Sequence, residues 1–169
     1  MLSILDNSLR VVNFAFLVIV LGLVGSLIAT QSGGNPRVNF CIFTATFGIV
    51  FDSFYAVLAN LFSAFAWPII LVTWDFLNFV FTFSAATALA VGIRTHSCTN
   101  QLYLDSNSIT QGSTDRCRKS QAVVAFLYFS FFIFLTKLVL SLINVFSAGA
   151  FGSGSTRRAT VGVPTISQV

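Results

Sequence analysis

The 169-residue sequence contains no glutamate, a single histidine and five aspartates, so it holds little material for acid–base catalysis. Charged residues make up 8 % of the chain, where a soluble domain carries roughly a quarter. No GxGxxG or Walker sequence and no serine nucleophile elbow is present, and an enzyme is not expected. Three cysteines are too few for a disulfide-stapled secreted module. What is abundant is apolar: 56 % of residues are hydrophobic, twenty of them phenylalanine, and a core of this length could not hide that much from water. Lipid must be the solvent for much of the chain. The formal charge of +4 then describes loops and lipid head groups rather than a nucleic-acid partner.

Charge-free runs divide the chain. Val11–Thr30 is twenty residues, about 30 Å as a helix and so one bilayer core. Between Arg37 and Arg94 lie 56 residues with two charges, Asp52 and Asp75, which fit two spans joined by a turn over Asn60–Pro68. Pro68 suits a first helical position. A fourth apolar run extends from Ala122 to Phe146. The expected architecture is an all-α integral membrane bundle with spans at about 11–30, 38–60, 68–93 and 122–146. A ten-residue N-terminus (1–10), a polar loop over 94–121 and a Gly/Ser/Thr tail over 147–169 complete it. The first span reads as an uncleaved signal anchor.

Orientation meets a conflict. A Cys98–Cys117 disulfide would place the large loop on the oxidising side and both termini in the cytosol. The positive-inside rule disagrees, because that arrangement leaves Arg10, Arg157 and Arg158 inside against Arg37, Arg94, Arg116, Arg118 and Lys119 outside. The cysteine pair is the less ordinary observation and the termini-inside arrangement is preferred; two unpaired thiols in a cytosolic loop are the alternative. Cys41 reads as a packing residue rather than an acylation site. His96 beside Cys98 matches no tight zinc pattern and reads as a solvated loop side chain, so neither metal nor cofactor is expected.

Asp52, Asp75 and Lys137 are costly at membrane depth. Counted from the helix ends under termini-inside, all three fall in one layer, with Asn78 one turn from Asp75 and able to join them. A structural clasp that fixes helix packing is the preferred reading. A proton or ion relay, and with it a small transporter, is the rival. Gly22/Ser26, Gly25/Ala29, Ser84/Ala88 and Ala88/Gly92 have the spacing of close helix contacts. Phenylalanine dominates the remaining faces; Trp67 suits an interfacial position and Trp74 a packed one. In the tail, Arg157-Arg158-Ala159-Thr160 has the form of a basic-directed kinase site with Thr160 as acceptor, and Ser167-Gln168-Val169 that of a C-terminal ligand.

Three stretches are more particular than generic membrane sequence: WDFLNFVFTFSAATALAVGIRTHSC (Trp74–Cys98), ITQGSTDRCRKSQAVVAFLYFS (Ile109–Ser130) and GAFGSGS…VGVPTISQV (Gly149–Val169). With Asp6-Asn7…Leu9-Arg10…Asn13-Phe14, they closely resemble the fungal non-classical export protein family, one of the MARVEL tetraspan groups. The resemblance implies a four-helix, plasma-membrane protein with both termini cytosolic and a Cys98–Cys117 disulfide in the outer loop. It further implies residence in eisosome domains, a part in forming them, a link to sphingolipids and an effect on non-classical export. Expected partners are membrane lipids (sphingolipid, sterol or both), eisosome scaffold proteins reached through Gly162–Val169, and further copies of the chain in a lateral assembly. Arg157–Arg158 is a shorter basic stretch than the family pattern, which weakens electrostatic tethering of the tail.

Overall fold

The computed structural model describes residues 4–62, 67–94 and 96–148. Four helices in it are long and apolar enough to cross a membrane. The first is α1 (Ile4–Ala29). The second span is composite: α2 (Pro36–Gly48), six residues of π-helix (Ile49–Phe54) and α3 (Tyr55–Leu61). The third is α4 (Pro68–Ile93) and the fourth belongs to α6 (Thr114–Ala148), with a short α5 (Gln101–Ser106) between them. Among the described residues there is no strand.

Local chemistry sets several of the boundaries. Asn35 caps α2 by accepting from the Arg37 amide at 3.0 Å, and Pro36 follows at the first helical position, where its missing N–H costs nothing. Pro68 does the same for α4, whose observed bounds coincide with the expected 68–93. Two other boundaries differ from expectation. The helix of α1 begins at Ile4 rather than 11, and α6 begins at Thr114 rather than 122. In both cases charged residues that read as loop are helical. Asp6 and Arg10 pair one turn apart in α1, while the Ser113 hydroxyl accepts from the Arg116 amide at 3.3 Å and Asp115 lies in the first turn of α6.

The four long elements form a ring in which α1 packs on α2 and α6, and α4 on α2 and α6. Aromatic pairs line the seams: Phe16 with Phe126 (5.6 Å between centroids), Phe47 with Phe81 (5.0 Å) and Phe79 with Phe131 (5.0 Å). Trp74 stacks on Phe51 at 4.2 Å across the α4/π-helix seam, and Trp67 is exposed. The apolar core occupies the half towards the loop bearing the cysteines. It is built from Val20, Val24 and Leu27 of α1, Val38, Cys41 and Ala45 of α2, Ala85, Ala86 and Leu89 of α4, and Val123 and Leu127 of α6. Cys41 is fully buried there against the Ala85 carbonyl.

The small-residue pairs divide. Around Gly22 and Gly25 there is open space, so they do not bring helices together within this chain. A Cβ on Gly92 would fall 2.6 Å from Ile109 Cδ1 and 2.8 Å from Arg37 Nη1, so close approach does occur there. Gly48, which spacing does not single out, is equally tight, 2.7 Å from Leu17 Cδ1.

The 94–121 loop contributes more to the interior than its polarity suggests. Cys98 and Cys117 form a disulfide, with their Cα atoms 5.7 Å apart, inside a small cluster with Tyr103 and Leu104. The Tyr103 hydroxyl donates to the Ile93 carbonyl, and Asn107 Nδ2 donates to the Gly92 carbonyl at 2.9 Å, so the loop satisfies the last turn of α4. Burial lifts the Tyr103 phenol above its usual range, and nearby Arg94 offsets part of the rise. Ile109 enters the main core. His96 packs on the Tyr103 ring at 4.9 Å.

Candidate functional site: a buried charge layer

The buried stripe of α1 runs Asp6, Arg10, Asn13, Leu17, Val20, Val24, Leu27, alternating steps of four and three. That period places one face of a helix inward along its whole length, so the first three, which are polar, point into the bundle just as the later ones do. On the second span the stripe passes Gly48, Asp52 and Ala56 in two steps of four across the π-helix, whose wider turn brings Asp52 inward. Asp75 and Asn78 lie on the buried face of α4. Lys137 and Ser141 lie on that of α6.

These faces meet in one layer. Lys137 Nζ is paired with Asp52 Oδ1 and with Asp75 Oδ1 at 3.0 Å. The Arg10 guanidinium bridges three carboxylates: Asp6 at 2.8 Å, Asp52 in close contact, and Asp75 at 3.8 Å. Arg10 also donates to the Asp52 carbonyl at 3.2 Å. Asn13 Nδ2 donates to Asp52 Oδ2 at 3.1 Å, and the Ser141 hydroxyl to Asp75 Oδ2 at 2.6 Å. Lys137 Nζ also sits 4.9 Å above the Phe134 ring. Asp52, Asp75 and Lys137 are each within 1 % of fully buried, and Arg10 is 4 % exposed.

Sequence reasoning named Asp52, Asp75 and Lys137, and the structure brings those three together. Asn78 it keeps apart: its amide turns along its own helix to donate to the Trp74 carbonyl at 2.9 Å, and its Oδ1 accepts from nothing among the described residues. Missed were Asp6, Arg10, Asn13 and Ser141. By sequence Arg10 reads as a charge flanking the first span, outside the membrane segment. The signal that finds it is the four–three spacing of Asp6, Arg10 and Asn13, in phase with Leu17 and the apolar stripe beyond.

All four spans supply a charged member, so the layer fixes their mutual rotation and height at once. In lipid this has particular force, because apolar faces there do not choose one partner strongly over another. Breaking one buried pair leaves its partner uncompensated, at a cost of about 3–5 kcal/mol. The remaining candidates lie elsewhere. Cys98 and Cys117 are joined 19 residues apart in sequence, which takes both thiols out of any metal set with His96. Among the described residues no three His, Cys or Asp side chains converge as a metal site. Arg157, Arg158, Thr160 and the segment Gly162–Val169 lie outside the described residues.

Comparison with known proteins completes the picture. Residues 3–140 match the MARVEL family of membrane-associating domains. Over the full length of both chains, the sequence is 60 % identical to Non-classical export protein 2 of Saccharomyces cerevisiae and 58 % identical to Non-classical export protein 102 of Candida albicans. A Schizosaccharomyces pombe homologue of Non-classical export protein 2 is 36 % identical over 79 % of this chain and 74 % of its own. No solved structure matches.

Proposed function

Because the chain belongs to the MARVEL family of membrane-associating proteins, in its fungal non-classical export group, we propose that it is a non-catalytic organiser or sensor of a plasma-membrane lipid domain. The observation that carries this reading is the distribution of polarity. Among the described residues, the charges at the end nearer the termini, Asp6, Arg10, Asp52, Asp75 and Lys137, are locked inside, while large apolar side chains cover the perimeter. Phe43, Phe54, Phe76, Phe83, Phe129 and Phe132 are all more than 40 % exposed. Such a body interacts with its surroundings laterally, through the lipid its aromatic faces accommodate and the copies or partners that lipid gathers.

In this reading both termini are cytosolic and the disulfide loop is outside, which fits the disulfide's need for an oxidising compartment. The tail couples the membrane domain to eisosome scaffold proteins, and sphingolipid content sets where the protein accumulates. The relatives' names carry an export role; here it follows from the domain the protein organises. Imaging a fluorescent fusion while sphingolipid synthesis is blocked and then restored tests this. Patches that disperse and re-form support the reading, whereas patches indifferent to the lipid sink it.

A second reading, a small proton-coupled or ion carrier, draws on the charges at membrane depth. Its weakness is that Asp52 and Asp75 are each already engaged by both Lys137 and Arg10 in direct pairs. Liposome flux abolished by Asp75→Asn would favour it over the organiser.

A further inference from the structure

The end of the bundle that carries the disulfide has five cations, Arg37, Arg94, Arg116, Arg118 and Lys119, against two carboxylates, Asp105 and Asp115. Most of these have partners. Lys119 is paired with Asp115 at 2.6 Å and donates to Ser26 at 3.0 Å. Asp105 accepts from Gln101 at 3.0 Å. Arg116 is buried and donates to the Ile109 and Leu27 carbonyls at 2.9 and 2.8 Å and to the Thr30 hydroxyl at 2.6 Å. Arg37, Arg94 and Arg118 are different. They are exposed, and among the described residues none has a carboxylate within ion-pair distance.

Two of the three share an edge. Arg37 lies across the last turn of α4, with its Nη1 2.8 Å and Cδ 3.0 Å from where a Cβ on Gly92 would be. Two residues beyond Gly92, Arg94 closes α4 in the left-handed conformation (φ 50°), a position that more often takes glycine. Three residues before Arg94, Val91 is 61 % exposed on α4. Two guanidinium groups without a carboxylate partner therefore stand at the end of a membrane helix whose last turn also exposes an apolar side chain. Phosphate above acyl chain is the complementary pattern, and the planar guanidinium is the side chain best suited to hold phosphate oxygens in pairs.

We propose that the Arg37–Arg94 edge is a docking site for the phosphate head group of an anionic lipid in the leaflet it faces. The site deepens the organiser reading, on which it rests for its biological use, by naming the lipid chemistry recognised. It also gives the surplus of positive charge at this end a binding role.

The test is reconstitution of the full chain in phosphatidylcholine nanodiscs containing a minor fraction of phosphatidylinositol, with protein-retained lipid quantified by mass spectrometry. The wild-type chain is expected to enrich phosphatidylinositol, and high salt to weaken the enrichment. The double variant Arg37→Gln/Arg94→Gln should lose it by about tenfold or more, while Arg118→Gln retains it. Absence of enrichment in the wild type, or enrichment undiminished in the double variant, overturns the proposal. If the double variant does not fold in phosphatidylcholine alone, the salt series on the wild type decides: loss of enrichment supports the site and indifference overturns it. Patches that ignore sphingolipid in cells while this enrichment persists would remove the organiser reading and leave the lipid site standing.

Discussion

The two ends of the bundle solve opposite problems. Towards the disulfide the interior is mainly apolar, from Val20 to Leu127, and its buried charge, Arg116, binds loop and helix-end carbonyls. Towards the termini the interior is ionic, from Arg10 to Lys137, and among the described residues large apolar side chains stand outside it, with Ile4, Leu61 and Phe146 each at least 70 % exposed. An apolar interior surrounded by lipid gains no hydrophobic advantage from closing, so it needs other constraints. At one end these are a covalent bond and a loop hydrogen-bonded to α4; at the other they are charges that have no acceptable place except against each other.

The comparison can be broken most forcefully at the ionic end. Lys137→Met leaves Asp52 and Asp75 without their ammonium and should cost about 3–5 kcal/mol in thermal unfolding of the reconstituted protein. Adding Asp52→Asn should recover part of that loss, because one uncompensated carboxylate is then removed. At the other end, replacing Cys98 and Cys117 by serine should cost about 3 kcal/mol for a loop of this length, and a reductant should reproduce the shift in the wild type. Glycine substitutions sharpen the contrast further. Gly48→Ala and Gly92→Ala each force a Cβ against a neighbouring side chain and should cost about 1–3 kcal/mol, with Leu17→Val relieving only the first. The smallest effect belongs to Gly22→Ala and Gly25→Ala, which meet open space and should shift stability by no more than about 0.5 kcal/mol. A large effect of these last two on assembly, with none on unfolding, would identify their face as a contact between copies.

The four spans are legible in the sequence because long charge-free runs have no other explanation, and Pro68 and Arg94 mark the ends of α4 directly. The ends of α1 and α6 are harder to read. A charge near the end of an apolar run ordinarily signals water, and that habit hides Asp6 and Arg10, which continue the inward face of α1, and the charged first turn of α6. The layer of Asp52, Asp75 and Lys137 follows from counting residues from the helix ends. Its completion by Arg10, Asn13 and Ser141 does not, because contacts between helices depend on rotation about their axes, and a nearly uniform apolar surface conceals rotation. Asn78 illustrates the same limit. One turn from Asp75 is the right height, yet the amide finds its own backbone first.

The π-helix at Ile49–Phe54 works as a phase adjuster for the second span. A π-turn takes up one residue more than an α-turn, so its six residues turn the chain by about as much as five do in an α-helix. Wound as regular α-helix with no residue lost, the same segment would turn every side chain after it by about 100° about the helix axis. Ala56 and Ala59 would then leave the seam they now occupy, and Asp52, midway through the segment, would swing away from Arg10 and Lys137. The chain would still look like four spans to any measure of hydropathy while having lost the angular setting that makes them one bundle.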